Sequence, residues 1–313
     1  MSTVAFLFPG QGSQARGMGR ALAEAFPESR AVFDEADATL GMSLSRICFA
    51  GSDAELALTE NTQPAVLTVS IAALRALEAH GVSPSAVAGH SLGEYSAHVA
   101  AGTLRFEDAV GTVRLRGRFM QEAVPVGEGA MAAILGLEAA TVERLCRDAA
   151  NGEVVTPANR NGPDQIVIAG HARAVARVVE AARAAGAKRA VQLAVSAPFH
   201  CPLMEPAATR LAAELDGVHF SNPGIPVYCN VDARPVRSGS EARTTLIRQV
   251  TAAVQWENLV SAMADAGIST FVEIGPGRVL CGLVRRIRKD ARVLSVEDPA
   301  GVEAAARALG NPS

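Results

Sequence analysis

Short runs of apolar residues alternate along this chain with longer stretches in which apolar positions recur every three or four residues. The runs at residues 4–8, 86–90, 226–229, 270–274 and 292–296 have the length of buried strands. Helical periodicity occupies residues 62–81, with Pro64 in the first turn and Gly81 as the stop, and again residues 92–101, 106–123, 277–289 and 301–309. Strands alternating with helices in this way predict an α/β protein with a mostly parallel, doubly wound sheet.

Between residues 129 and 195 the rhythm changes. Strands are expected at 129–136, 154–158, 165–170 and 188–195, with helices at 138–149 and 171–185. That order, βαββαβ, is the order of a ferredoxin-like unit. The chain is therefore expected to form an α/β-hydrolase-like catalytic subdomain from residues 1–126 and 197–313, interrupted by a ferredoxin-like subdomain at 127–196. Gly127-Glu128-Gly129 and Ser196-Ala197-Pro198 are the expected hinges, and Gly310-Asn311-Pro312-Ser313 is an expected frayed end.

Composition narrows the partners. With 313 residues, 49% of them hydrophobic and 19% charged, the chain can bury a large core. A net charge of -3 gives no reason to expect nucleic acid. The chain runs from Met1-Ser2-Thr3 straight into a strand, without the basic and small-residue features of a signal peptide. No apolar stretch approaches the length that spans a bilayer, so no membrane partner is expected. Five cysteines without a CxxC spacing indicate neither a disulfide framework nor a zinc site. A reducing cytoplasm is the expected location, and neither metal nor bound cofactor is expected.

Candidate chemistry enters at Gly89-His90-Ser91-Leu92-Gly93, a G-x-S-x-G sequence set between a predicted strand and a predicted helix. Glycines on both sides let strand and helix approach closely while the serine is forced into a strained turn. Its hydroxyl then stands at a helix N-terminus, where unpaired N–H groups favour developing negative charge. Ser91 is the candidate nucleophile.

A hydroxyl needs a base, and six histidines are available: His80, His90, His98, His171, His200 and His219. His90 adjoins Ser91 and should point away from it. His98 lies about two helical turns on, roughly 10 Å away. His80 reads as a helix end, His171 belongs to the insertion, and His219 precedes the turn at Asn222-Pro223. His200 follows a strand and the turn Ala197-Pro198-Phe199, after the nucleophile in chain order as in α/β hydrolases. It is the candidate base.

Four segments carry a resemblance: Phe8-Pro9-Gly10-Gln11-Gly12-Ser13-Gln14, residues 89–97, Leu115-Arg116-Gly117-Arg118-Phe119-Met120-Gln121, and Ala197-Pro198-Phe199-His200. In this order they closely resemble the malonyl-CoA:acyl carrier protein transacylases, the acyltransferases of fatty acid and polyketide synthesis, and the likeness runs from Phe8 to beyond Gly277. The resemblance implies a Ser91–His200 dyad, with backbone N–H groups of Gln11 and Leu92 as the oxyanion hole. The sequence Gly10-Gln11-Gly12 after the first strand agrees, since it can bring bare backbone to a reacting carbonyl. It further implies that Arg116 pairs with the malonyl carboxylate and that the main-chain carbonyl of Gln249 orients His200. Phe199 resembles the malonyl-selecting form of its motif, Met120, Met131 and Leu92 are implied to line the acyl pocket, and Asn159 is implied to face the acyl group.

The function so implied is transfer of malonyl from malonyl-CoA to the phosphopantetheine thiol of acyl carrier protein, through a malonyl-Ser91 intermediate. Two other readings compete: a serine hydrolase of the esterase or thioesterase type on the same elbow, and a non-catalytic scaffold. For docking an acidic carrier protein, the basic stretches Arg285-Arg286-Ile287-Arg288-Lys289 and Lys188-Arg189 are the candidates.

Overall fold

The computed structural model describes residues 3–195 and 197–310. Strand β1 (Thr3–Phe8) leads to helices α1 (Arg20–Ala25), α2 (Pro27–Leu40), α3 (Leu44–Ala50), α4 (Asp53–Ala57) and the long α5 (Thr59–Ala79). Next come β2 (Ala86–Gly89), α6 (Gly93–Ala100) and α7 (Phe106–Glu122). Then follow β3 (Gly129–Leu135), α8 (Ala139–Ala149), β4 (Val155–Gly162), β5 (Gln165–His171), α9 (Ala172–Ala184) and β6 (Arg189–Gln192). A 3-10 turn at Pro202–Met204 opens the last part, with α10 (Glu205–Leu215), β7 (Val227–Tyr228), α11 (Gly239–Gln249) and α12 (Trp256–Asp265). It closes with β8 (Ile268–Ile274), α13 (Val279–Ile287), β9 (Arg292–Val296) and α14 (Pro299–Leu309).

Five strands form a sheet in the order β7-β2-β1-β8-β9, and every pair in it is parallel. The alternation along β1 sorts its side chains between two cores, as period two requires. Val4, Phe6 and Phe8 pack with Val66, Leu67 and Ile71 of α5 on one face. Ala5 and Leu7 pack with Trp256, Leu259 and Val260 of α12 and Leu283 and Val284 of α13 on the other. Helices thus cover both faces, which is the doubly wound arrangement that the sequence predicts.

The second sheet has the order β4-β5-β3-β6 and is antiparallel throughout. This is the ferredoxin-like order for a βαββαβ unit. Ala130, Ala132 and Ile134 of β3 face α8 and α9, packing against Val142, Cys146 and Val178. The alternate residues Met131 and Ala133 face the other way, into a core shared with Phe119 and Met120 of α7 and with Phe199. One face of the small sheet therefore roofs the region of the predicted chemistry.

Several element ends differ from expectation. Helix α5 starts at Thr59, earlier than the predicted 62, because its first turn is stitched to the preceding helix. The N–H groups of Asn61 and Thr62 donate to the Leu58 carbonyl, Asn61 Nδ2 to that of Glu55, and Thr62 Oγ1 to that of Leu56. Pro64 then lies inside the helix, where its missing N–H leaves one carbonyl without the usual partner. Strand β4 runs on to Gly162 through two register shifts, carrying Asn159 and Asn161 towards the large sheet. Strand β6 stops at Gln192, and Val195 N bonds back to the Leu193 carbonyl as the chain leaves the ladder. The expected hinge residue Ser196 and the expected frayed residues 311–313 lie outside the described residues. Among the described residues no helix is long and apolar enough to cross a membrane.

Candidate active site

Three glycines fix the elbow. A Cβ at Gly89 would lie 1.9 Å from the Gly93 carbonyl group, one at Gly93 would lie 2.1 Å from the Phe8 carbonyl oxygen, and one at Gly10 would lie 2.5 Å from that of His90. Strand β2, the start of α6 and the loop after β1 can meet this closely only without side chains. Between them Ser91 takes a left-handed conformation, φ 52°. Asn230, in the loop after β7, pins the turn from behind: its Oδ1 accepts from Ser91 N at 2.7 Å and its Nδ2 donates to Gly89 O at 2.7 Å.

His200 also sits in a left-handed turn, φ 59°, with Nε2 2.7 Å from Ser91 Oγ. Its Nδ1 lies 2.7 Å from the main-chain oxygen of Gln249. A carbonyl only accepts, so Nδ1 carries the proton and Nε2 turns its lone pair to the serine. Gln249 is the last residue of α11, where helix geometry leaves carbonyls without intrahelical partners. A helix end thus supplies the acceptor that a carboxylate supplies in a Ser-His-Asp triad. Burial, helped by the nearby Arg116 charge, pushes the His200 pKa down to about 3, so the ring is neutral at neutral pH.

Arg116, on α7, is 1% exposed. Nη1 donates to Gln63 Oε1 at 2.7 Å; Nη2 donates to Gln249 Oε1 at 2.9 Å and to Ser91 Oγ at 3.2 Å. The guanidinium also lies 5.7 Å from the centre of the Tyr95 ring. All of its hydrogen-bond acceptors are uncharged, and Nε has no partner among the described residues. A buried cation held by neutral oxygens beside a serine hydroxyl can seat an anionic group.

These residues line one cavity of about 640 Å³ between the two sheets. Gln11, Leu92, Met120, Met131, Asn159 and Phe199 all contribute to its wall, so the predicted site residues converge on it. Gln249 stands behind it, in contact with both His200 and Arg116. Among the described residues neither the Gln11 nor the Leu92 N–H donates to another protein group. His90 also lines this cavity, but among the described residues no histidine other than His200 is hydrogen-bonded to Ser91 Oγ. His90 lies against Trp256 and bonds Asn161 Oδ1 at 2.9 Å, and the His80 and His171 rings bond backbone groups. His98 is fully buried with no partner for either nitrogen among the described residues.

Four contributors escape the sequence reading: Gln63, Glu94, Asn161 and Asn230. Gln63 and Glu94 left a signal, being polar residues inside strongly apolar helical stretches, 2% and 0% exposed. Asn161 and Asn230 sit at strand and loop positions with no pattern to mark them. Of the basic stretch on α13, Arg286 donates to Gln165 and Arg288 pairs with Asp265. Arg285 and Lys289 are exposed and form no ion pair among the described residues.

The chain matches the family described as the acyl transferase domain over residues 5–303. It is 48% identical over 310 residues to the malonyl CoA-acyl carrier protein transacylase of Bacillus subtilis, covering 99% of this chain and 98% of that relative. It is 48% identical over 306 residues to that of Escherichia coli K12, covering 97% and 99%. Among solved structures, the malonyl CoA-acyl carrier protein transacylase from Coxiella burnetii superposes with a TM-score of 0.97 at 43% identity, covering 98% of each chain. The malonyl-transacylase in a solved complex with its type II PKS acyl-carrier protein is also similar, with a TM-score of 0.96 at 46% identity, covering 98% of this chain and 100% of that one.

Proposed function

The chain belongs to the acyl transferase domain family, and from that premise we propose that it transfers malonyl from malonyl-CoA to the phosphopantetheine thiol of an acyl carrier protein, through an ester on Ser91. The observation that carries the reading is Arg116, buried, charged and bonded only to neutral acceptors, 3.2 Å from Ser91 Oγ. An acyl group ending in a carboxylate supplies the missing anion, whereas an acetyl group leaves the cation unpaired.

In the first half-reaction His200 Nε2 takes the Ser91 Oγ proton as Oγ attacks the thioester carbonyl. The carbonyl electrons move onto oxygen, which rests on the N–H groups of Gln11 and Leu92. A single such donor is worth about 2.7–4 kcal/mol in the transition state. Collapse breaks the C–S bond, and the CoA thiolate leaves with the proton from His200. The malonyl ester remains on Ser91, its carboxylate held by Arg116. In the second half the carrier's thiol gives its proton to His200 and attacks the ester; Ser91 Oγ leaves and takes the proton back.

Phe199, Met120 and Asn159 bound the acyl pocket in this scheme, with Phe199 limiting bulk beside the acyl carbon. Exposed Arg285 and Lys289 suit an acidic carrier protein approaching the cavity mouth near α13. In this reading residues 1–126 with 197–313 act as the catalytic subdomain and 127–196 as its roof, and the setting is the cytoplasm. The reading is tested by mixing the protein with malonyl-CoA, with and without phosphopantetheinylated carrier. Malonyl-carrier should appear in the presence of carrier, and little free malonate in its absence; rapid malonate release without carrier would instead identify a hydrolase.

A further inference from the structure

Glu94 stands three residues after the nucleophile, in the first turn of α6, and is 0% exposed. Its Oε2 accepts from Gln249 Nε2 at 2.7 Å and from Asn230 N at 3.0 Å. Its Oε1 has no partner among the described residues. The Gln249 side chain thus lies between a carboxylate and a guanidinium, with its nitrogen on Glu94 and its oxygen on Arg116 Nη2. The same nitrogen also reaches Ser91 O at 3.0 Å and Asn230 Oδ1 at 3.3 Å.

An amide can present either end to a neighbour, and here one of the two orientations fails. Turned over, Gln249 would point its NH2 at the Arg116 guanidinium, two donors facing each other, and would set its oxygen against the oxygen of Glu94. We propose that Glu94 is a positioning residue for malonyl transfer: its Oε2 fixes the facing of the Gln249 amide, and through that amide it aims Arg116 at Ser91 Oγ and steadies the carbonyl that orients His200. The inference rests on the malonyl-transfer reading given above.

The acceptor matters here more than the charge. Burial pushes the Glu94 carboxyl up to about 7, so near neutrality the charge is only partly present. Oε2 can accept from Gln249 and Asn230 whether or not Oε1 carries a proton. The arrangement also explains why Arg116 has no carboxylate touching it. A direct ion pair would compete with the substrate's own carboxylate, while an anion one amide away does not occupy the seat. An acidic residue in a first helical turn is by default a dipole partner, and for that role aspartate serves as well as glutamate.

The two isolating replacements are Glu94→Gln, which keeps an acceptor in place and removes the charge, and Glu94→Asp, which keeps the charge and withdraws the acceptor by about 1.5 Å. Each is made in the full chain, checked for folding by circular dichroism, and assayed for transfer to phosphopantetheinylated carrier from malonyl-CoA and from acetyl-CoA. Glu94→Gln should keep malonyl kcat/KM within about threefold of the parent, while Glu94→Asp should lose roughly tenfold or more and show a lower malonyl-to-acetyl preference. Equal losses in the two variants, an Asp variant that matches the parent, or an Asp loss shared equally by malonyl and acetyl would each overturn the proposal. If the Asp variant does not fold, the isosteric Gln variant decides: retained malonyl transfer and preference support the acceptor role, and a tenfold loss in a folded protein overturns it. Parent enzyme that fails to transfer malonyl would instead remove the functional reading beneath it.

Discussion

The imidazole of His200 donates from Nδ1 to the main-chain carbonyl of Gln249 across 2.7 Å, while the side chain of the same glutamine accepts from Arg116 at 2.9 Å. One residue at the end of α11 therefore touches both the proposed base and the buried cation. The base and the cation are coupled in turn, because Arg116 helps to hold the His200 ring neutral.

That coupling sets an expectation for pH. The folded pKa of His200 is lowered to about 3, so its base form persists well below the usual histidine range of about 6.5. Malonyl-CoA kcat/KM should stay within about twofold between pH 8 and pH 5.5. An acid limb centred near the ordinary histidine pKa would show that the ring is not held as described.

On the proposed reading, Arg116 selects the acyl group by pairing with its carboxylate. Replacing Arg116 with Ala should lower malonyl transfer by about a hundredfold or more, since it removes one partner of a buried charge pair. Acetyl transfer should gain relative to malonyl. Competition between the two CoA esters reads the ratio directly, and an unchanged ratio would remove the carboxylate seat from Arg116.

The elbow glycines are set by contact distances. Gly93→Ala places a Cβ 2.1 Å from the Phe8 oxygen, and backbone cannot yield as a side-chain end can. It should cost about 3 kcal/mol or more and abolish acylation of Ser91. Gly111→Ala, in the interior of α7 with nothing within 4 Å of its Cβ, should instead stabilise by about 0.5–1 kcal/mol. Thermal midpoints of the two variants should therefore move in opposite directions.

His98 makes stability depend on pH through a residue remote from the chemistry. Burial lowers its pKa to about 3, whereas the unfolded chain protonates it near 6.5. Its folded pKa is depressed, so this contribution is intact above the unfolded value and is lost as pH falls from there towards 3. His98→Leu removes that loss. The variant's advantage over the parent should grow by roughly 1–2 kcal/mol between pH 7 and pH 5, followed as thermal midpoints, and a constant difference would contradict it.

Much of this arrangement was legible in the residues. Strand β1 shows its period of two in the split of Phe6 and Phe8 from Ala5 and Leu7, and the βαββαβ order gives the topology of the small sheet. The elbow around Ser91 is legible because it needs glycines at fixed offsets, and the approach of His200 to Ser91 because the other histidines read as parts of other elements. What escaped was held by long-range geometry. Asn230 lies 139 residues from Ser91 and Gln249 lies 155 from Glu94, and no local periodicity records such contacts. The start of α5 departs from the expected one because side-chain bonds from Asn61 and Thr62 to the preceding helix outweigh the proline signal.

The central claim is that a malonyl ester forms on Ser91 and waits there for a thiol. Intact-protein mass spectrometry after brief exposure to malonyl-CoA, without carrier, tests it most directly, with Ser91→Ala beside the parent. The parent should gain the mass of one malonyl group, mapped to the peptide that holds Ser91, and lose it when phosphopantetheinylated carrier is added; the Ala variant should gain nothing. A malonyl adduct that persists in the Ser91→Ala protein would contradict the account.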